Sequence, residues 1–241
     1  MLVSKTATMI AAASLALLVA LPAAAGTVNK SIKIGDGEET GGQTSVNGSI
    51  SIGSDATVNG GVKTVNGKIR VDDRSSIRNA TTVNGSIRLG DSVKAHEITT
   101  VNGSITAGKN CDISGGIEAV NGSIELGAGS VVDDNVENVN GGMEFDNSIV
   151  GGDVKTVNGD VELANVSVIK GDLVVEEPSG WGKSNQKRRN PRIIIGPGSR
   201  VEGVIELERE VDLFISETAE VGGVKGVMTM ADAVRFKGDK P

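Results

Sequence analysis

The chain has 241 residues, a formal net charge of −7, and three Phe, one Trp and no Tyr. This acidic balance argues against bulk nucleic-acid binding, and the scarcity of aromatic rings argues against stacking platforms for sugars or single-stranded nucleic acid. The single cysteine, Cys111, excludes an intramolecular disulfide, and we interpret it as a buried small side chain rather than a reactive thiol.

The first 25 residues have the pattern of a secretory signal peptide. Lys5 gives a basic start, residues 9–21 are rich in Ala, Leu and Val, and Ala23-Ala24-Ala25 precedes Gly26. The apolar run is short for a bilayer span, and an uncleaved N-terminal anchor is the alternative. We therefore expect an exported protein of residues 26–241, in the periplasm or at the surface or outside of a bacterium, with no transmembrane segment after cleavage.

The tripeptide Val-Asn-Gly recurs at a nearly constant interval. Its seven copies lie 18 or 19 residues apart, and a degenerate copy, Val28-Asn29-Lys30, precedes them. The asparagines of the seven copies are Asn47, Asn66, Asn84, Asn102, Asn121, Asn140 and Asn158. Such a period indicates a repeat architecture, in which each unit buries its apolar side chains by stacking on its neighbours.

A short apolar–polar–apolar segment follows each copy, as in Ile50-Ser51-Ile52 and Ile87-Arg88-Leu89. Period two over three residues predicts a very short strand with two side chains inward and one outward. The outward position varies among Lys, Ser, Arg, Thr and Glu, as expected for a solvent-facing column. The sequence therefore predicts an all-β fold, a single-stranded parallel β-solenoid (triangular β-helix) with coils of 18–19 residues. The pattern leaves the handedness open, with the right-handed form favoured.

The Asn-Gly pairs are predicted to form one corner of each coil, where a positive φ favours Gly and Asn. Stacking identical corners places asparagine over asparagine, so the side-chain amides should bond as a ladder along the rod. A column of threonines, including Thr64, Thr82 and Thr100, precedes the motif valine. We interpret this column as an outward strand position set by β-propensity, because its charged neighbours are unsuited to an ice-binding surface.

The repeats divide the chain into a main solenoid at 26–175, a basic loop at 176–192, terminal coils at 193–226 and a C-terminal cap at 227–241. The loop carries the candidate binding residues, which are Trp181, Lys183, Lys187, Arg188, Arg189 and Arg192. A basic patch on an acidic rod could dock an anionic component of the cell envelope. A solvated loop without a ligand is the alternative.

No catalytic constellation is evident. The segment at 83–90 resembles the repeat of hexapeptide-repeat acyltransferases, which use a histidine at a coil edge, and His96 is the only histidine of this chain. A general base needs partners that the sequence does not show, so we interpret His96 as an exposed turn residue. Asp72-Asp73 and Asp133-Asp134 offer carboxylates at turns but match no calcium ligand set. We predict no enzymatic activity, no metal and no cofactor.

Two segments resemble known bacterial β-solenoids. The stretch Ile-Gly-Pro-Gly-Ser-Arg-Val-Glu-Gly-Val-Ile at 195–205, together with 149–154, resembles the repeat of the bactofilin-like, polymer-forming group. The stretch Thr-Val-Asn-Gly-Asp-Val at 156–161 resembles an adhesin-like family of exported proteins. The first resemblance implies assembly end to end, although bactofilins are cytoplasmic and this chain begins with an export pattern.

These patterns together favour a non-catalytic structural or scaffolding protein of the cell envelope that assembles with itself end to end. The expected contact is strand addition between Ile32/Ile34 at one end and Leu213/Ile215 at the other. The alternative function is an adhesin-like or ligand-binding module that docks an anionic partner through the basic loop.

Overall fold

The computed structural model describes residues 28–178 and 189–241. Within these ranges the chain forms 31 short strands in three parallel sheets and a single 3₁₀ helix, Met230–Asp232. Each coil places one strand in each sheet, and all strand pairs are parallel, as in the pairing of Ile50 with Ile69. The predicted all-β parallel solenoid is confirmed, with about ten turns of about 19 residues.

The first sheet begins immediately after the Val-Asn-Gly motif in each repeat. Its 11 strands are Ile32–Ile34, Ile50–Ile52, Ile69–Val71, Ile87–Leu89, Ile105–Ala107, Ile124–Leu126, Met143–Asp146, Val161–Ala164, Arg192–Ile195, Asp212–Ser216 and Val234–Phe236. The second sheet has the 10 strands Glu39–Thr40, Thr57–Val58, Ser76–Ile77, Lys94–Ala95, Asp112–Ile113, Val131–Val132, Ile149–Val150, Val168–Ile169, Arg200–Val201 and Glu220–Val221. The third sheet has the 10 strands Gln43–Ser45, Val62–Asn66, Asn79–Asn84, Glu97–Asn102, Ile117–Asn121, Val136–Asn140, Val154–Thr156, Leu173–Val175, Ile205–Leu207 and Val224–Gly226.

The core is a set of aliphatic columns that run the length of the rod. Ile87 is in register with Ile69 on one side and Ile105 on the other, and all three are almost fully buried. The alternation within each strand places these side chains inward, where they pack on equivalent residues of the neighbouring coils. Stability therefore comes from stacking between coils.

The predicted loop interrupts one coil without ending the solenoid. Leu173–Val175 lies in the third sheet, and the next described strand, Arg192–Ile195, lies in the first. Val161 is in register with Ile193, 32 residues later, so the sheets continue across the insertion. The inserted residues occupy the corner where the preceding coils carry Val-Asn-Gly.

The C-terminal segment adds a further strand, which corrects the predicted end contact. Val234–Phe236 pairs with Asp212–Ser216, so Leu213 and Ile215 are interior to the first sheet and Val234–Phe236 is its edge. The last residues then fold back along the rod, and Lys240 Nζ lies 3.1 Å from Glu162 Oε1. Within the described ranges, no helix has the length and apolar character needed to cross a membrane.

Candidate functional site

The predicted asparagine ladder is present along the turn from the third sheet to the first, here called the Asn-Gly corner. In each coil the Asn Nδ2 donates a hydrogen bond to the Asn Oδ1 of the preceding coil, as from Asn102 to Asn84 (3.0 Å). The series starts at Asn29 and rises through Asn47, Asn66, Asn84, Asn102, Asn121, Asn140 and Asn158. Every amide in the middle of the ladder both donates and accepts, which satisfies the polar side chains on this edge.

An arginine that the sequence did not single out ends this ladder. Arg209 Nη1 donates to Asn158 Oδ1 at 3.0 Å and to the backbone oxygen of Val157 at 3.3 Å. Arg209 follows the strand Ile205–Leu207, two strands beyond Val154–Thr156 in the third sheet. Its side chain thus spans the coil in which the inserted loop replaces the Asn-Gly corner. No repeat signal marks this position, because Arg209 lies outside the motif.

The glycines of the Asn-Gly corner are required for a reason other than the predicted one. Among the seven motif glycines, only Gly122 (158°) and Gly141 (133°) have a positive φ. A Cβ atom at Gly67 or Gly103 would instead lie 2.2 or 2.1 Å from the carbonyl oxygen of the glycine one coil below. Close stacking of backbones therefore selects glycine here. The left-handed turn residues lie at the turn from the first sheet to the second, and they include Asp55, Arg74, Ser92, Asn110, Gly129 and Asn147.

The threonine column faces the core, so the predicted outward placement was wrong. Thr64, Thr82 and Thr100 are buried, while the motif valines beside them are half-exposed. Each threonine hydroxyl donates to a glycine carbonyl of the preceding coil, as from Thr100 Oγ1 to the oxygen of Gly85 at 3.1 Å. These bonds satisfy carbonyl groups that the tight corner leaves without a strand partner.

The basic loop is tied to the rod where the structure describes it. Trp181, Lys183, Lys187 and Arg188 lie outside the described residues. Arg189 forms an ion pair with Asp160, and this carboxylate raises the pKa of the arginine. Arg192 begins a strand of the first sheet. Its backbone N–H donates to Asp160 Oδ1 at 2.8 Å, and its guanidinium lies 4.8 Å from the ring centroid of Phe214. Asp160 is therefore the anchor of this end of the loop.

His96 lies beside an acidic groove on the third sheet. The ring is exposed, and its Nδ1 lies 3.1 Å from Ser114 Oγ. The groove also contains Glu118 and Glu137. Burial raises the pKa of the Glu118 carboxyl, and the negative charges of Glu137 and Glu97 raise it further. This groove is a place of like-charge repulsion.

The turn carboxylates are used by the chain itself. Asp73 Oδ1 accepts the backbone N–H of Asp91 at 2.9 Å, and Asp72 Oδ1 lies 2.6 Å from Arg70 Nε. In residues 28–178 and 189–241, no group of three or more His, Cys, Asp or Glu side chains is arranged to hold a metal ion. The acidic turns therefore act as hydrogen-bond acceptors between coils.

Cys111 is a buried member of a column of small side chains, as interpreted from the sequence. It is 1% exposed, and its thiol donates to the carbonyl oxygen of Gly90 at 3.1 Å. Its backbone N–H donates to Ser130 Oγ, which belongs to the next coil. Burial raises the pKa of the thiol, so the nucleophilic thiolate form is disfavoured.

The outward side chains of the first sheet form a column that we call the first-sheet face. In order along the rod they are Lys33, Ser51, Arg70, Arg88, Thr106, Glu125, Glu144, Glu162, Ile194 and Phe214. The charged members are basic in the early coils and acidic in the later ones. This order of sign is visible in the sequence, but its meaning depends on the register, which places these residues in one straight line.

No protein-family model, no curated protein and no solved structure matches this chain. The fold and the geometry of its side chains are therefore the basis for the functional argument.

Proposed function

We propose that this protein is a non-catalytic, exported structural rod of the bacterial cell envelope that assembles end to end. The observation that carries the proposal is the distribution of exposed large apolar side chains. Val28 is 63% exposed at one end, and Val227, Met230 and Val234 are 59%, 39% and 54% exposed at the other. Exposed apolar residues concentrated at the ends of a rod are suited to burial against another molecule.

The backbone of the two ends supports the same proposal. Ile32–Ile34 and Val234–Phe236 are the two edge strands of the first sheet. An edge strand presents unpaired N–H and C=O groups, which a strand from another molecule can satisfy by continuing the sheet. Parallel pairing between these edges would extend the solenoid from one copy to the next. The signal-peptide pattern at 1–25, which lies outside the described residues, supports export.

A ligand-binding role for the basic loop is the second candidate. Asp160 anchors the loop through Arg189 and through the backbone of Arg192, and this anchoring would hold the loop at a defined place on the rod. The same ion pair consumes positive charge that an anionic partner would need. This role predicts retention of the protein on envelope fractions, which the combined change of Lys187, Arg188 and Arg189 to Ser would abolish.

Negative-stain microscopy across a concentration series tests the scaffold proposal. We expect filaments a few nanometres wide, and we expect Val234→Asp and Met230→Asp to shorten or abolish them. Val166→Asp is the matched control, because Val166 is 59% exposed but lies on the side of the rod. A strict monomer by sedimentation at the highest attainable concentration, or filaments unaffected by the end variants, would contradict the proposal.

A further inference from the structure

The first-sheet face stacks like charges on adjacent coils. Arg70 and Arg88 are register partners, and so are Glu125 and Glu144. Like charges at paired strand positions are destabilising. In the part of the chain that the structure describes, Arg88, Glu125 and Glu144 have no ion pair or side-chain hydrogen bond. The face therefore carries two blocks of opposite charge that the rod itself does not neutralise.

Two shallow grooves lie in this face, one in each block. The basic groove is lined by Lys68, Arg70, Ser86 and Arg88. The acidic groove is lined in part by Glu125, Glu144, Asp160 and Glu162. The positions beside the central column are small in the coils between, and they are Ser86, Gly90, Ser104, Gly108, Ser123 and Gly127. A second sheet can therefore approach this face at the usual spacing of about 10 Å between packed sheets.

We propose that two copies of this chain pair through the first-sheet face, antiparallel, about a two-fold axis at Thr106. Arg88 of one copy then lies opposite Glu125 of the other, one coil from the axis. Arg70 lies opposite Glu144, two coils from the axis. Both pairs fit at once because the rise per coil, about 4.8 Å, is the same in both copies. The symmetry forms each contact twice, as in any isologous dimer.

The orientation and register follow from the charges. A parallel arrangement in register would set Arg88 on Arg88 and Glu125 on Glu125, which is repulsive. Moving the axis half a coil towards Glu125 would place Arg70 opposite Glu162, whose carboxylate lies 3.1 Å from Lys240 Nζ. The axis at Thr106 instead uses the two glutamates that lack a partner within the chain. This lateral contact involves the side of the rod and does not depend on end-to-end assembly.

Sedimentation velocity on protein expressed from the full chain tests the pairing. We expect a monomer–dimer equilibrium at low ionic strength that weakens as salt screens the four ion pairs, on the order of two per half of the interface. Arg88→Glu should raise the dimer dissociation constant about tenfold or more, because it sets like charges together. The double change Arg88→Glu with Glu125→Arg should restore the dimer. Arg78→Glu, the same charge change at an exposed arginine outside this face, should leave it unaltered.

Cross-linking locates the axis. Thr106→Cys should be joined to its own copy by a bismaleimide with a span of about 10 Å, since the axis brings the two positions face to face. Ser51→Cys should not, because its copy lies about six coils away, roughly 29 Å at the usual strand spacing. The unaltered chain is the background control, since Cys111 is 1% exposed.

Three results would overturn the proposal. These are a monomer at all concentrations in low salt, a dimer unaffected by Arg88→Glu, and cross-linking of Ser51→Cys as efficient as that of Thr106→Cys. The end variant Val234→Asp should leave the lateral dimer intact while it shortens filaments. The failure of one proposal is therefore distinguishable from the failure of the other.

Discussion

The guanidinium of Arg209 hydrogen-bonds the Asn158 side-chain oxygen at 3.0 Å across 51 residues of sequence. The contact closes the asparagine ladder at the coil where the insertion removes the next asparagine. Without it, the last carbonyl oxygen of the ladder would need a water molecule as partner. A single charged side chain thus links the coils on the two sides of the loop.

Arg209→Ala should lower the free energy of unfolding by about 1.5 kcal/mol, the scale of a hydrogen bond from a charged donor. The measurement is the urea midpoint, with unchanged slope. Arg78→Ala is the control, because it removes an exposed arginine remote from the ladder. Equal effects of the two changes would show that Arg209 does not support the ladder.

Gly103→Ala should be destabilising by about 3 kcal/mol, near the upper range for an overpacked site. The new Cβ would lie 2.1 Å from the carbonyl oxygen of Gly85, and a backbone atom held in the stack cannot move aside cheaply. Gly61→Ala is the matched control, since the nearest atom to its Cβ is Lys63 Cε at 3.4 Å. Thermal unfolding of both variants checks the prediction, and similar melting temperatures would refute it.

Thr100→Val should cost about 1–2 kcal/mol, because it keeps the shape of the side chain but leaves the Gly85 oxygen without its 3.1 Å donor. The neighbouring Thr99 points outward and provides the control, since Thr99→Val removes a hydroxyl that has no role in the core. Denaturant unfolding should separate the two variants. If Thr99→Val were the more damaging change, the inward assignment of the column would be wrong.

Glu118→Gln should stabilise the protein at neutral pH. The folded-state pKa of Glu118 is raised, so the folded protein binds this proton more tightly than the unfolded chain does. Stability from this group is therefore present below the ordinary glutamate pKa and is lost as the pH rises through the raised value. The variant should lose that part of the slope between pH 4 and pH 7, by about the range in which glutamates titrate.

Thermal unfolding at a series of pH values measures this effect. Glu210→Gln is the control, because Glu210 is exposed. A pH slope in Glu118→Gln equal to that of the unaltered chain would contradict the assignment of the repulsion to Glu118, Glu97 and Glu137.

Much of the fold could be predicted because the period is written directly in the chain. Alternation in segments such as Ile50-Ser51-Ile52 identifies strands, and the 18- or 19-residue spacing places each strand on its equivalent in the next coil. The asparagine ladder follows from the same spacing, since identical residues at identical corners must lie above one another. These features depend on local pattern and on stacking, and both are readable without coordinates.

The inward position of Thr100 could not be predicted in the same way. Threonine and valine have similar shapes and both favour strands, so composition does not tell which of Thr100 and Val101 faces the core. A one-residue slip exchanges the two faces, and the packing of the next coil decides between them. The carbonyl oxygen of Gly85, which needs a donor, selects the hydroxyl for the inside.

By itself, then, the sequence determined that this protein is a three-sided stack of short parallel strands with asparagine corners. Only the tertiary structure decided that Arg209 ends the ladder, that Val234–Phe236 forms an edge of the first sheet, and that Arg88 and Glu125 lie on one face. The physical reason is that a period specifies what each coil repeats, whereas ends, insertions and charges of single residues act through contacts between coils that no period describes.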